Sequence, residues 1–169
     1  GDWVRASSRS HGALTGKAAG NGSLMRTLPV ALAYPNTNQM LKESARVSAL
    51  THWDSQAEIC CAIYCLWIRN LLSGEELREG WQNALSTAKS LAMSDFDTEE
   101  TPGIGAVPPE LWNRLESIEE KTIDEIQPTG YAGYVLDCLE AAVWCCLKSK
   151  SLEETLVCAV NLGGEADTI

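Results

Sequence analysis

Ser55-Gln-Ala-Glu-Ile-Cys-Cys-Ala-Ile-Tyr-Cys-Leu-Trp-Ile-Arg-Asn-Leu-Leu72 is the stretch that decides the fold. Over residues 57–72 apolar side chains stand almost all round a helical wheel, Ile59, Ile63, Leu66, Trp67 and Leu71 among them. A helix apolar on every side is covered on every side, so this one is expected at the centre of the molecule. Its longest unbroken apolar run, residues 59–68, is too short to cross a bilayer, which takes about 20 residues. Ser55 and Glu58 have the S-x-x-E spacing of a capping box at its start.

On the N-terminal side, Thr51-His-Trp-Asp54 interrupts an apolar pattern over residues 40–50, in which Met40, Leu41, Ala45 and Ala49 share a face. Tyr34-Pro-Asn-Thr-Asn38 reads as a turn. On the C-terminal side, Ser73-Gly-Glu-Glu76 is a second capping box. It precedes an amphipathic helix with Leu77, Trp81, Ala84, Leu85, Ala88 and Leu91 at spacings of three and four. Residues 95–107 carry Asp95, Asp97, Glu99 and Glu100 and read as an acidic surface loop. Pro108-Pro-Glu-Leu111 opens a modest helix with Leu111, Leu115 and Ile118 on its apolar face. Pro128-Thr-Gly-Tyr-Ala-Gly-Tyr134 feeds a strongly apolar helix over 135–147, and Ser151-Leu-Glu-Glu154 caps another over 152–162. No period-two alternation, hairpin signal or internal repeat occurs, so the class is all-α.

The 169 residues suffice for one domain with a real core. A net charge of −10 argues against nucleic acid or an anionic membrane surface as the main partner. The seven cysteines are odd in number, lack CxxC spacing and lie in apolar helical stretches. They read as reduced core residues of a cytoplasmic protein. Gly1-Asp2-Trp3 has no signal-peptide character.

Four junctions carry candidate chemistry. In Gly20-Asn-Gly-Ser-Leu-Met-Arg26 the glycines flanking Asn21 let backbone N–H groups approach a ligand, a helix start favours anions, and Arg26 could clamp one. The same pattern is also a common turn. His52, just before the central helix, is either a capping or packing residue or a ligand-facing one. Tyr131 and Tyr134 could stack on a base or simply pack. Asn161-Leu-Gly-Gly-Glu-Ala-Asp-Thr-Ile169 sets Glu165, Asp167 and Thr168 after a Gly-Gly pair. On a regular helix these three would point to roughly 0°, 200° and 300°, so convergence requires Glu165 on a turn. Such oxygen ligands suit magnesium, manganese or calcium; the bland alternative is an acidic helix start.

Together, Gly20-Asn-Gly-Ser-Leu-Met-Arg26, Thr51-His52, Gly133-Tyr-Val-Leu-Asp-Cys-Leu-Glu-Ala-Ala142 and the terminal motif resemble the ordered motifs of the ADP-ribosylglycohydrolase family, which includes the dinitrogenase reductase-activating glycohydrolase type. The resemblance implies a compact orthogonal helical bundle and two Mg2+ or Mn2+ ions. It implies hydrolytic removal of ADP-ribose from modified protein side chains or related ADP-ribosyl compounds, by water activated at the binuclear centre. Carried over by position, Asp167 and Thr168 match metal ligands, with Asp167 catalytic through the water held there. Glu165 is a third ligand where the family usually has Asp. Gly20, Asn21, Gly22, Ser23, Met25 and Arg26 match the part that cradles ADP-ribose, Gly133 and Tyr134 line the same cleft, and His52 falls in a cleft-lining motif. The family's Thr-Asp-Asp motif does not occur, and Asp2 alone does not supply the family's N-terminal metal and Gly-Asp motifs. Residues 1–169 are therefore expected to be one domain that is the middle and C-terminal portion of a larger one, incomplete at both ends. The alternatives are a catalytically inactive ADP-ribose-binding module or a structural relative such as a lens protein.

Overall fold

Residues 19–92, 107–126 and 133–163 are described by the structure, a computed structural model. They form helices α1 (Gly22–Met25), α2 (Leu28–Ala33), α3 (Thr37–Ala49), α4 (Ser55–Leu72), α5 (Leu77–Ala92), α6 (Pro109–Glu116), α7 (Ile123–Ile126), α8 (Val135–Lys148) and α9 (Leu152–Asn161), with a 3-10 turn at Ile118–Glu120. Among the described residues there is no strand; a single antiparallel bridge joins Gly20 to Tyr134. The all-α reading holds, and α4 is central as its composition requires. It packs against α1, α2, α3, α5 and α8, and Ile59, Cys60, Cys61, Ile63 and Cys65 are wholly buried.

The helix ends differ from the expected ones, each for an identifiable reason. Asp54, not Ser55, caps α4: its extended backbone brings Oδ1 over the Gln56 and Ala57 amides at 2.8 and 3.4 Å. Glu58, expected to reach back to the cap, is buried at 1% exposure. Ser73 ends α4 rather than starting α5. Gly74, at φ +97°, donates to Leu71 O, and Glu75 donates to Asn70 O. These two bonds form a Schellman closure that satisfies the last carbonyls of α4. Ser151 does cap α9, its Oγ accepting from the Glu154 amide at 3.2 Å. Asn36 Oδ1 accepts from Gln39 N, so α3 begins at Thr37, inside the expected turn. The apolar stretch after Gly22 is two helices, because Pro29 has no N–H to offer the Met25 carbonyl.

α5 lies along α4 through an edge-to-face Trp67–Trp81 pair with centroids 5.4 Å apart. Trp67 Nε1 donates to Leu77 O and Asn70 Nδ2 to Gly80 O, tying the two helices at their junction. Leu111, Leu115 and Ile118 are buried as expected. The acidic loop over 95–107 lies outside the described residues apart from Val107, which packs on the core. α8 is buried along most of its length, and α9 lies on it with Leu152, Leu156, Val157 and Val160 exposed.

Two carboxylates inside α8 are held by cations from neighbouring segments. Arg114 of α6 donates through Nη2 to Asp137 Oδ1 at 2.7 Å and to Glu140 Oε2, while Lys121 donates to Glu140 Oε1. Burial opposes the charge of Arg114, but its hydrogen bonds to Glu140 and Asp137 outweigh that and hold its pKa above the usual value. All seven cysteines are free thiols. Five are buried and Cys146 and Cys158 are partly so, in accord with the reading of reduced core residues. Burial pushes the Cys65 thiol up to about 12. Among the described residues no helix is long and apolar enough to cross a membrane.

Candidate functional site

The Gly20–Tyr134 bridge brings two of the glycine junctions together. Asn21 N donates to Gly133 O at 2.7 Å and Val135 N to Ala19 O at 3.0 Å. Gly133 turns the chain at φ +82°, a conformation that favours glycine, just before α8 begins. Tyr134 follows as the residue before the helix, and its hydroxyl donates to Gln56 Oε1 at the start of α4. Burial is the main reason that the Tyr134 pKa is pushed up to about 12, so the phenol stays protonated and the bond holds.

His52 adds the third junction. Its backbone amide donates to Ser48 O at 2.9 Å, which fixes it at the end of α3. The imidazole lies against both glycines of the loop. A methyl built on Gly20 would stand 2.8 Å from His52 Nε2, and one on Gly22 would stand 3.2 Å from Cε1. The two glycines thus serve the close approach of this ring, a reason the sequence did not reveal. Gly20→Ala is expected to displace the ring and lower stability by about 1–3 kcal/mol, as overpacking does. Urea unfolding checks it, and an unchanged midpoint would show that the ring yields without cost.

On its far side, His52 Nδ1 is 2.7 Å from Thr51 Oγ1, and that hydroxyl accepts a hydrogen bond from Arg26 Nη2. Arg26 also donates to Val47 O at 3.0 Å and to Gly22 O at 3.2 Å. Arg26, expected as an anion clamp, thus braces α1 against the end of α3. Burial, then the Arg26 charge, lowers the His52 pKa below its ordinary value, with Asp54 pulling the other way. A folded-state pKa below the unfolded value means that the unfolded chain binds more protons between the two. The stability contributed by His52 is therefore complete above about pH 6.5 and is lost as the pH falls through its lowered folded pKa. Urea titrations at stepped pH should show the unaltered protein losing more stability on acidification than His52→Gln; parallel losses would refute this.

The structure thus gathers Gly20, Asn21, Gly22, His52, Gly133 and Tyr134. The Ser23 side chain is wholly buried, with Cys61 Sγ 3.6 Å from its Oγ. Met25 is exposed to solvent. Thr51 and Gln56 were not read from the sequence as site residues. The Thr51-His52 pair was visible, but Gln56 had no local signal. Glu165, Asp167, Thr168 and Tyr131 lie outside the described residues. Gly163 does show the expected turn after α9, with φ +75°. Among the described residues no group of three or more His, Cys, Asp or Glu side chains could hold a metal. The carboxylate and hydroxyl donors of the terminal motif, which that turn leads into, have the chemistry a hard divalent cation takes.

This all-α architecture has known counterparts. The sequence model of the ADP-ribosylglycohydrolase family matches residues 2–169, and the chain belongs to that family. It is 27% identical to the ADP-ribosylarginine hydrolase Tri1 of Pseudomonas putida (strain GB-1), over 99% of this chain and 40% of that protein. It is 28% identical to the ADP-ribosylhydrolase ARH3 of Homo sapiens, over 89% of this chain and 47% of the relative. A solved structure described as an ADP-ribosylglycohydrolase-related protein complex superposes with a TM-score of 0.67 at 26% identity, over 99% of this chain and 54% of that one. The chain spans about half the length of these relatives.

Proposed function

We propose that residues 1–169 form one domain that is the ADP-ribose-binding portion of a metal-dependent hydrolase, which removes ADP-ribose from a modified protein side chain or a related small molecule. The observation that carries this reading is the meeting of the 20–22 loop, His52 and the 133–134 turn at one place, within a chain of this family. Gly20, Asn21, Gly22, Met25, Arg26, His52, Gly133 and Tyr134 are assigned to binding, Met25 and Arg26 as the flank and brace of the loop. Cytoplasmic localisation belongs to the same proposal, resting on the free thiols.

Glu165, Asp167 and Thr168 would hold one side of a centre for Mg2+ or Mn2+. Such cations, when bound, polarise hydroxyl oxygens and make water a nucleophile near neutral pH. The chain's own residues do the remaining work. A neutral His52 can donate one hydrogen bond to a diphosphate oxygen, and Gly20 and Gly22 make room for its ring beside the loop. Binding energy spent on the diphosphate positions the distal ribose, whose bond to the acceptor breaks through an oxocarbenium-like state. An acceptor such as the arginine named for Tri1 would leave with a proton.

The test uses the protein at the length of its relatives, given an ADP-ribosylated arginine peptide and Mg2+. Release of free ADP-ribose, abolished by chelation, is the expected result. No release from arginine, serine or small-molecule ADP-ribosyl compounds would overturn it. Glu165, where the family usually has Asp, favours a second reading as an inactive binder. Saturable binding of ADP-ribose without turnover would establish that one.

A further inference from the structure

Arg26, Thr51 and His52 form a continuous chain of hydrogen bonds that ends against Gly20 and Gly22. A guanidinium has donors and no acceptor, so the direction of the first bond is fixed: Arg26 gives and Thr51 Oγ1 receives. The Thr51 hydroxyl then has one proton of its own and one remaining lone pair. Accepting from a cation draws density from that oxygen, which makes its O–H a stronger donor and its lone pair a poorer acceptor. The partner within reach is His52 Nδ1 at 2.7 Å. The favoured pairing has Thr51 donating to an unprotonated Nδ1, which leaves the imidazole proton on Nε2. Nε2 is the atom that a methyl on Gly20 would strike. Burial and the Arg26 charge both disfavour the doubly protonated ring, in the same sense.

We infer that Arg26 is a positioning residue: acting through the Thr51 hydroxyl, it holds the His52 imidazole as a single neutral tautomer with Nε2–H turned to the Gly20–Gly22 loop. A donor of fixed direction at that point suits an oxyanion of the ligand, such as one on a diphosphate. This last step rests on the proposed function; the tautomer does not. The pattern also gives Arg26 a purpose other than touching the ligand, since its Nη atoms are engaged with Gly22 O, Val47 O and Thr51 Oγ1.

The experiment is 15N-labelled imidazole NMR at pH 7.5, where the only other histidine signal, from His11, is assigned by His11→Gln. The expected result is one His52 nitrogen in the acceptor range and the other in the N–H range, with the proton on Nε2. Thr51→Ser should keep that pattern, whereas Thr51→Val should give averaged shifts of two exchanging tautomers. Arg26→Met should average them too. Thr51→Val leaves the Arg26 bonds to Gly22 and Val47 in place, so it decides the matter if Arg26→Met does not fold. A proton on Nδ1 in the unaltered protein, or an unchanged tautomer in Thr51→Val, would overturn the inference. ADP-ribose titration of the same variants separates the two levels of the argument. About tenfold weaker binding in Thr51→Val, restored in Thr51→Ser, supports both. A fixed Nε2–H tautomer in a protein that binds no ADP-ribose upholds the relay and removes the functional reading.

Discussion

Replacing Glu140 with alanine should lower the unfolding free energy by about 3–5 kcal/mol, the cost of breaking one side of a buried ion pair. The carboxylate is 2% exposed, and each oxygen has its own cation: Arg114 on Oε2 and Lys121 on Oε1. Truncation leaves both cations facing an apolar helix, with only Asp137 to share Arg114. Because domains are stable by only about 5–15 kcal/mol, such a loss is visible as a large drop in the urea midpoint. Glu140→Gln keeps the shape but loses the charge, and should fall between the two. A loss under about 1 kcal/mol in Glu140→Ala would show that water or a shifted Asp137 replaces the carboxylate.

The effect should reach the candidate site as well as the core. Arg114 and Lys121 belong to the segment around α6 and the 3-10 turn, and Glu140 is one and a half turns into α8. The start of α8 is where Tyr134 meets Gln56 and Gly133 meets Asn21. Replacing Arg114 and Glu140 together by apolar residues of similar size should cost less than the sum of the single changes, since neither charge is then left unpaired.

The centre of the fold was legible in the sequence because α4 is apolar all round, a pattern that leaves one placement. Its ends were not. Residue spacing suggested Ser55 and Ser73 as caps, but capping depends on backbone conformation. Asp54 is extended and reaches the first amides, while Gly74 takes the positive φ that closes the helix behind Ser73. At the site, the glycine loops could be picked out, but their cause could not. Gly20 and Gly22 make room for a ring that arrives from the end of another helix, a contact without any local signature. Arg26 looked like a free clamp for the same reason. Two of its three acceptors lie 21 and 25 positions along the chain. The ion network of Asp137 and Glu140 was not read from the sequence, because the cations that complete it, Arg114 and Lys121, come from other segments of the chain.

The largest expected effect on activity is that of Asp167→Ala in the protein at the length of its relatives. Turnover should fall by a factor of about 10³ or more, the equivalent of the several kcal/mol that a divalent cation contributes to such a reaction. The physical reason is the donor set. Thr168 offers a neutral hydroxyl and Glu165 a carboxylate one methylene longer than the usual Asp, so in the proposed centre Asp167 would supply the short, charged ligand that a hard cation needs. Calorimetry should show Mn2+ binding weakened in parallel, which provides a reading apart from turnover. ADP-ribose affinity should hold, because the 20–22 loop, His52 and the 133–134 turn are linked directly to one another. The urea midpoint should hold as well. Turnover unchanged in Asp167→Ala, with chelation still inhibitory, would move the metal elsewhere and end the assignment of the terminal motif. The companion change, Glu165→Asp, tests the remaining anomaly. Raised metal affinity and activity would show that the longer side chain weakens a working centre. Activity absent in both forms, with ADP-ribose still bound, would make this protein a binding relative of the hydrolases.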